Sequence, residues 1–204
     1  MKKRVLSVLV AMVMMAAMLT ACGEKTDDAL IGTWTCEMDY ASYINEGLAS
    51  EPELVEYMKV DEFVLEITLT LKEDGTYTMS ADSQANKDSF EELKGKLKDG
   101  MIHYLTDAAE AADMTLDDLL DASDITIDEL VEEVFGDDMY DSIIGDMTAE
   151  GKYEAKDGKL FTSQDLDSDL DSNYETYELS GNTLTITGDA NGTTDGIYPL
   201  VFKK

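Results

Sequence analysis

The sequence predicts a mainly β fold with a helical insertion: an up-and-down antiparallel barrel of about eight strands plus a subdomain of short helices. Three observations predict it. Several stretches alternate apolar and polar residues with period two, the signature of a half-buried strand. Consecutive stretches of this kind are joined by short turns rich in Gly, Asp and Asn, as in hairpins. Between them, residues 83–145 abandon that period for helical spacing in a segment rich in Ala, Leu, Met, Asp and Glu. Hairpin-linked strands without crossovers favour closure, because a closed barrel leaves no strand edge unpaired.

Residues 31–40 form the first strand, with Trp34, Cys36, Met38 and Tyr40 on one face and Thr33, Thr35, Glu37 and Asp39 on the other. Residues 42–58 lose this alternation, and Pro52 followed by Leu54, Val55 and Met58 points to one or two short helices. The alternation returns at 63–71, where Phe63, Leu65, Ile67, Leu69 and Leu71 share a face. Glu73-Asp74-Gly75 supplies the turn, and Thr76 to Ser80 returns with Tyr77 and Met79 on one side.

In the helical stretch, Phe90, Leu93 and Leu97 make one apolar stripe and Ile102, Leu105 and Ala109 another. Thr115 with Asp118, and Thr126 with Glu129, have the spacing of capping boxes. Gly100, Gly136 and Gly145 suit helix ends. From Lys152 onward two more hairpins follow, with turns at Asp157-Gly158 and Gly181-Asn182, and Ile197 to Phe202 is a final strand.

The N-terminus is an address rather than part of the fold. Met1-Lys2-Lys3-Arg4 is a basic start, and Val5 to Leu19 is a nearly uninterrupted apolar run, too short and wrongly flanked for an ordinary spanning helix. Leu19-Thr20-Ala21-Cys22-Gly23 then resembles a bacterial lipobox. The resemblance implies cleavage after Ala21 and a diacylglycerol on Cys22, so that residues 1–21 are a signal peptide and 22–30 a lipidated tether. Residues 31–204 are then one domain, with the helical insertion at about 83–149. The implied location is the outer side of the cell membrane, reached by export, with the membrane as a partner through the anchor at Cys22. Two or more acyl chains hold stably where one does not.

Composition narrows the function. The 204 residues include 45 acidic and 15 basic side chains, for a formal net charge of −30. Binding phosphate needs clustered Lys and Arg, so nucleic acids and anionic lipid surfaces are poor partners. Two cysteines and one histidine exclude Cys/His zinc clusters, Cys-ligated iron–sulfur clusters and a disulfide scaffold.

Cys36, lone and inward-facing, reads as a small hydrophobe, and its pairing with an acylated Cys22 is disfavoured. His103, on a helix without catalytic neighbours in the sequence, reads as structural or exposed. Asp165, Asp167, Asp169, Asp171 and Asn173 recur every second residue, and Glu178 stands twelfth counting from Asp167, a spacing that suits a calcium loop. Ser172 stands where such a loop wants Gly, and no helices flank it, so a solvated hairpin loop competes with this weak calcium reading. No pair of carboxylates is singled out for hydrolysis. The reading is a protein without catalytic residues or cofactor.

Gly32-Thr33-Trp34, the turn Asp74 to Tyr77 and the strand Asn182 to Ile186 resemble the lipocalin-like domains (calycins) of bacterial lipoproteins. The resemblance implies a cup whose closed end is plugged by Trp34. It also implies an arginine from the last strand packed on that tryptophan, where this chain offers only Lys203 and Lys204. The cup would bind a small hydrophobic or amphipathic ligand through Trp34, Met38, Phe63, Leu65, Ile67, Leu69, Tyr77, Leu184 and Ile186. The alternative is an interaction module of the cell envelope, with a filled barrel and acidic helices that meet a basic protein partner. Those helices lack Lys partners at i+4, which leaves their charges solvated or available to that partner.

Overall fold

The computed structural model describes residues 27–49, 52–167, 170, 174–189 and 198–204. Eight antiparallel strands close into one barrel in sequence order. They are β1 (Gly32–Asp39), β2 (Val64–Leu71), β3 (Thr76–Ser80), β4 (Ala149–Lys156), β5 (Lys159–Ser163), β6 (Glu175–Ser180), β7 (Thr183–Asp189) and β8 (Leu200–Lys203). Closure runs through β1 and β8, where Thr35 faces Lys203. The predicted alternation is the burial pattern: Leu65, Ile67, Leu69 and Leu71 are all buried on β2, as are Tyr77 and Met79 on β3.

The β4–β5 turn shows why Asp-Gly works here. Asp157 and Gly158 have φ of 53° and 74°, both positive, as the tight hairpin turn with the strands' own twist requires. This turn, the β2–β3 turn and the β6–β7 turn all lie at one end of the barrel, together with the start of β1 and the end of β8. The longer connections start from the other end.

Trp34, third residue of β1, is fully buried at the hairpin-turn end. Its indole Nε1 donates to the Leu30 carbonyl at 2.7 Å. The Lys204 ammonium lies 4.8 Å from the ring centroid and donates to the Ile31 carbonyl at 2.5 Å. Gly32 is called for by its φ of +140°, and its missing Cβ also leaves room for the end of the Lys204 side chain.

The chain forms two compact units, the barrel unit from segments up to Met38, Glu66–Asp82 and Ile144–Lys204, and a second unit from Asp39–Leu65 and Ser83–Ile143. The second unit is helical. Its elements are α1 (Ala41–Leu48), α2 (Pro52–Met58), α3 (Gln84–Ala111), α4 (Leu116–Ser123), α5 (Ile127–Phe135) and most of α6 (Asp137–Asp146). Both predicted capping boxes form: Thr115 with Asp118 opens α4 and Thr126 with Glu129 opens α5.

Two expectations are corrected here. The insertion is not built of short helices alone, because α3 runs for 28 residues and joins the two predicted apolar stripes. Gly100 therefore does not end a helix. It lies inside α3, where a Cβ would strike the Tyr57 carbonyl, so its missing side chain lets α2 cross α3 at close range. Replacing it by valine is expected to destabilise the protein by about 1–3 kcal/mol, the usual cost of overpacking, as read by urea denaturation. An unchanged midpoint would show that α2 simply moves away.

The second correction concerns charge. The acidic helices do find lysines, against the expectation that none stands at i+4: Lys96 pairs with Glu92 at 2.9 Å one turn away within α3, while Lys94 pairs with Glu132 at 2.5 Å and Lys98 pairs with Asp128, both across from α3 to α5. Spacing along one helix could not show pairs made between two. The aromatic core of this unit runs from Phe63 through Phe90 to Tyr140, with ring centroids 6.4 and 5.1 Å apart.

Candidate functional site: the barrel interior

Inside the barrel lies an apolar cavity of ≈ 30 Å³, lined by residues of the seven strands β2 to β8, among them Leu69, Tyr77, Leu160, Ile186 and Phe202. A single water needs about 10–15 Å³ measured this way, so the space holds about two. Pockets for drug-sized ligands run to about 300–1,000 Å³. The rest of the interior is filled by side chains such as Trp34, Leu71, Leu184 and Phe202, each 2% exposed or less.

Among the described residues one charged side chain lines this cavity. Glu175, the first residue of β6, is only 7% exposed. The Tyr198 hydroxyl donates to its Oε1 at 3.0 Å. Burial pushes the carboxyl up to about 7, because desolvation penalises the charged form; the Tyr198 bond opposes this and the nearby Asp189 adds to it. Tyr77, across the cavity, is pushed up to about 12 by burial and then by the charge of Glu175.

Of the residues predicted to face a ligand, Leu69, Tyr77 and Ile186 line the cavity. Trp34, Leu65, Ile67 and Leu184 are buried elsewhere on their strands, and Met38 is half-buried. Phe63 stands one residue before β2 and packs on Phe90 in the helical unit. Glu175 escaped the sequence reading, although a signal was present. The alternation of β6 puts it on the same face as Tyr177, and an acid on an apolar face is the anomaly that marks a site.

Cys36 is buried and free of disulfide, its thiol pushed up by burial, which suits a packing role rather than a reactive one. His103 is exposed on α3. Of the calcium candidates, Asp167 and Glu178 are exposed, while Asp169, Asp171 and Asn173 lie outside the described residues. Among the described residues no group of three or more His, Cys, Asp or Glu side chains is placed to hold a metal ion. The signal peptide 1–21 and Cys22 also lie outside them. No described helix is long and apolar enough to cross a membrane.

The helical unit carries two surface grooves. One of ≈ 340 Å³ is lined by Lys87, Phe90, Glu91, Asp137, Tyr140 and Asp141. The other, of ≈ 270 Å³, lies along Glu62, Phe63 and Val64 beside Ser89, Glu92, Leu93 and Lys96. From Asp99 to Gly151 the chain has seventeen acidic residues and no Lys or Arg.

The site and fold define a closed eight-stranded antiparallel barrel with a packed interior and an acidic helical insertion. Neither a protein-family model, a curated protein nor a solved structure matches the chain.

Proposed function

We propose that this is an exported lipoprotein of the bacterial cell envelope, anchored by acyl chains on Cys22, in which a lipocalin-like barrel is a filled scaffold and the acidic helical unit engages a basic protein partner. The observation that carries this reading is the cavity of ≈ 30 Å³: it is an order of magnitude too small for a lipid-like cargo. The acidic stretch 99–151 supports the partner's charge, since side chains such as Asp113, Asp117, Asp121 and Glu133 are exposed to solvent. Such a surface attracts Lys- and Arg-rich chains through long-range potential and repels anionic lipid, so the anchor holds the protein while its charge holds the body off the bilayer.

The test has three readouts. Labelled palmitate fed to expressing bacteria is expected to enter the wild type and not Cys22→Ser. A fluorescent fatty acid titrated against residues 22–204 is expected to show no saturable binding. A lysine-rich peptide is expected to bind at low salt, to weaken as salt rises, and to weaken further when Asp117, Asp121 and Glu133 become Asn, Asn and Gln. Saturable fatty-acid binding would restore the open-cup reading, in which a small hydrophobic or amphipathic ligand is the cargo. Salt-insensitive peptide binding would remove the electrostatic partner.

A further inference from the structure

We propose that the cavity beside Glu175 is a binding site for a short primary alkylammonium ion, of methylammonium or ethylammonium size. This goes beyond the scaffold reading and does not depend on it. Among the described residues Glu175 is the one charged side chain in the lining, it is 7% exposed, and the wall around it is mostly hydrocarbon and aromatic. A carboxylate in such a wall is costly until a cation comes in with it. The fold supplies what a small organic cation needs. Glu175 gives the counter-charge, held by the Tyr198 hydroxyl at 3.0 Å. Tyr77 also lines the space and brings an aromatic ring to it. Leu69, Leu160 and Ile186 surround the short alkyl end.

Other ligand classes fit less well. An anion meets a buried carboxyl in a chain of net charge −30. A calcium ion wants six to eight oxygens, and the lining brings one carboxyl and a few hydroxyls. A neutral hydrocarbon leaves the carboxyl without a counter-charge. Size sets the upper limit, because ≈ 30 Å³ takes an ammonium group with one or two carbons and a longer chain must displace the packed core. The negative field of the whole chain also raises the local concentration of cations near the protein.

The test is a titration of ethylammonium chloride into ¹⁵N-labelled residues 22–204 at pH 8, in excess constant NaCl. Saturable amide shifts are expected at 160–162 and 175–177. Glu175→Gln is expected to weaken binding at least tenfold, Glu178→Gln on the outer face of the same strand is expected to leave it unchanged, and hexylammonium is expected to bind more weakly than ethylammonium. In the wild type, affinity is expected to fall about tenfold from pH 8 to pH 6, as the carboxyl, pushed up to about 7, takes a proton. This last measurement needs no variant. Shifts that fail to saturate, or that spread over the helical unit, would mean diffuse attraction to a negative surface and overturn the site. So would a Glu175→Gln protein that binds within twofold of the wild type, or an affinity that does not change with pH.

Discussion

Glu175→Gln is expected to stabilise the protein by about 3 kcal/mol at pH 8 and by little below about pH 4.5. The carboxyl sits at about 7 in the folded barrel, above its ordinary value of 4.5, mainly because burial disfavours its charge. Between those two values the folded state binds more protons than the unfolded state. Stability therefore falls as pH rises through this window and levels off above about 7, where both states are ionised and the folded one bears the whole cost. Glutamine keeps the shape and an oxygen for the Tyr198 hydroxyl while removing the charge. Urea denaturation of both proteins from pH 4 to pH 9 reads the effect as a gap that widens with pH. Comparing the two isolates Glu175 from the many exposed acids, whose mutual repulsion also relaxes as pH falls. Parallel curves would mean that Glu175 reaches solvent and titrates as an ordinary glutamate.

Trp34→Ala is expected to cost about 3–5 kcal/mol, the range for removing a large buried aromatic. The ring is fully buried, and its Nε1 satisfies the Leu30 carbonyl at 2.7 Å, so truncation opens a cavity and takes that carbonyl's partner. Tyrosine and phenylalanine would recover part of the volume and none of the indole bond. The lysine above the ring contributes far less. Lys204→Ala is expected to lose about 0.5–1 kcal/mol, and Lys204→Arg to lose little, because either cation can sit on the ring face. Thermal denaturation of the three variants orders them. A Lys204→Ala protein as damaged as Trp34→Ala would show that the lysine tail, rather than the indole, seals that end of the barrel.

Much of the barrel was legible because its signals are local. Leu65, Ile67, Leu69 and Leu71 announce a buried face through spacing alone, and Asp157-Gly158 announces its turn through the backbone angles those residues tolerate. The capping boxes at Thr115 and Thr126 were readable for the same reason, since donor and acceptor stand three residues apart. Gly100 was misread because a helix-ending glycine and a helix-crossing glycine look alike in sequence. Only the approach of Tyr57, 43 positions away, separates them. The lysines on α5's acids were missed because Lys94 and Lys98 reach across from another helix.

The candidate site divides along the same line. The apolar lining at Leu69, Tyr77 and Ile186 followed from alternation, but the carboxyl that gives the cavity its chemistry did not. Glu175 stands beside a loop rich in aspartate, where one more acid looks like one more solvated charge. What buries it is the closure of β5, β6 and β7 around it: Leu160 and Asp189 face it in the two ladders, and Tyr198 arrives from just before β8.

By itself, the sequence determined the strands, their turns, their order and the strongly negative charge, because period, backbone tolerance and ionisation belong to residues and their near neighbours. The tertiary structure alone decided how much space the closed barrel leaves inside, that Lys204 covers Trp34, and that Glu175 is shut away from water. Those three depend on distances between atoms far apart along the chain. A cavity volume is a small remainder after many side chains have filled a fixed enclosure, and no single residue carries it.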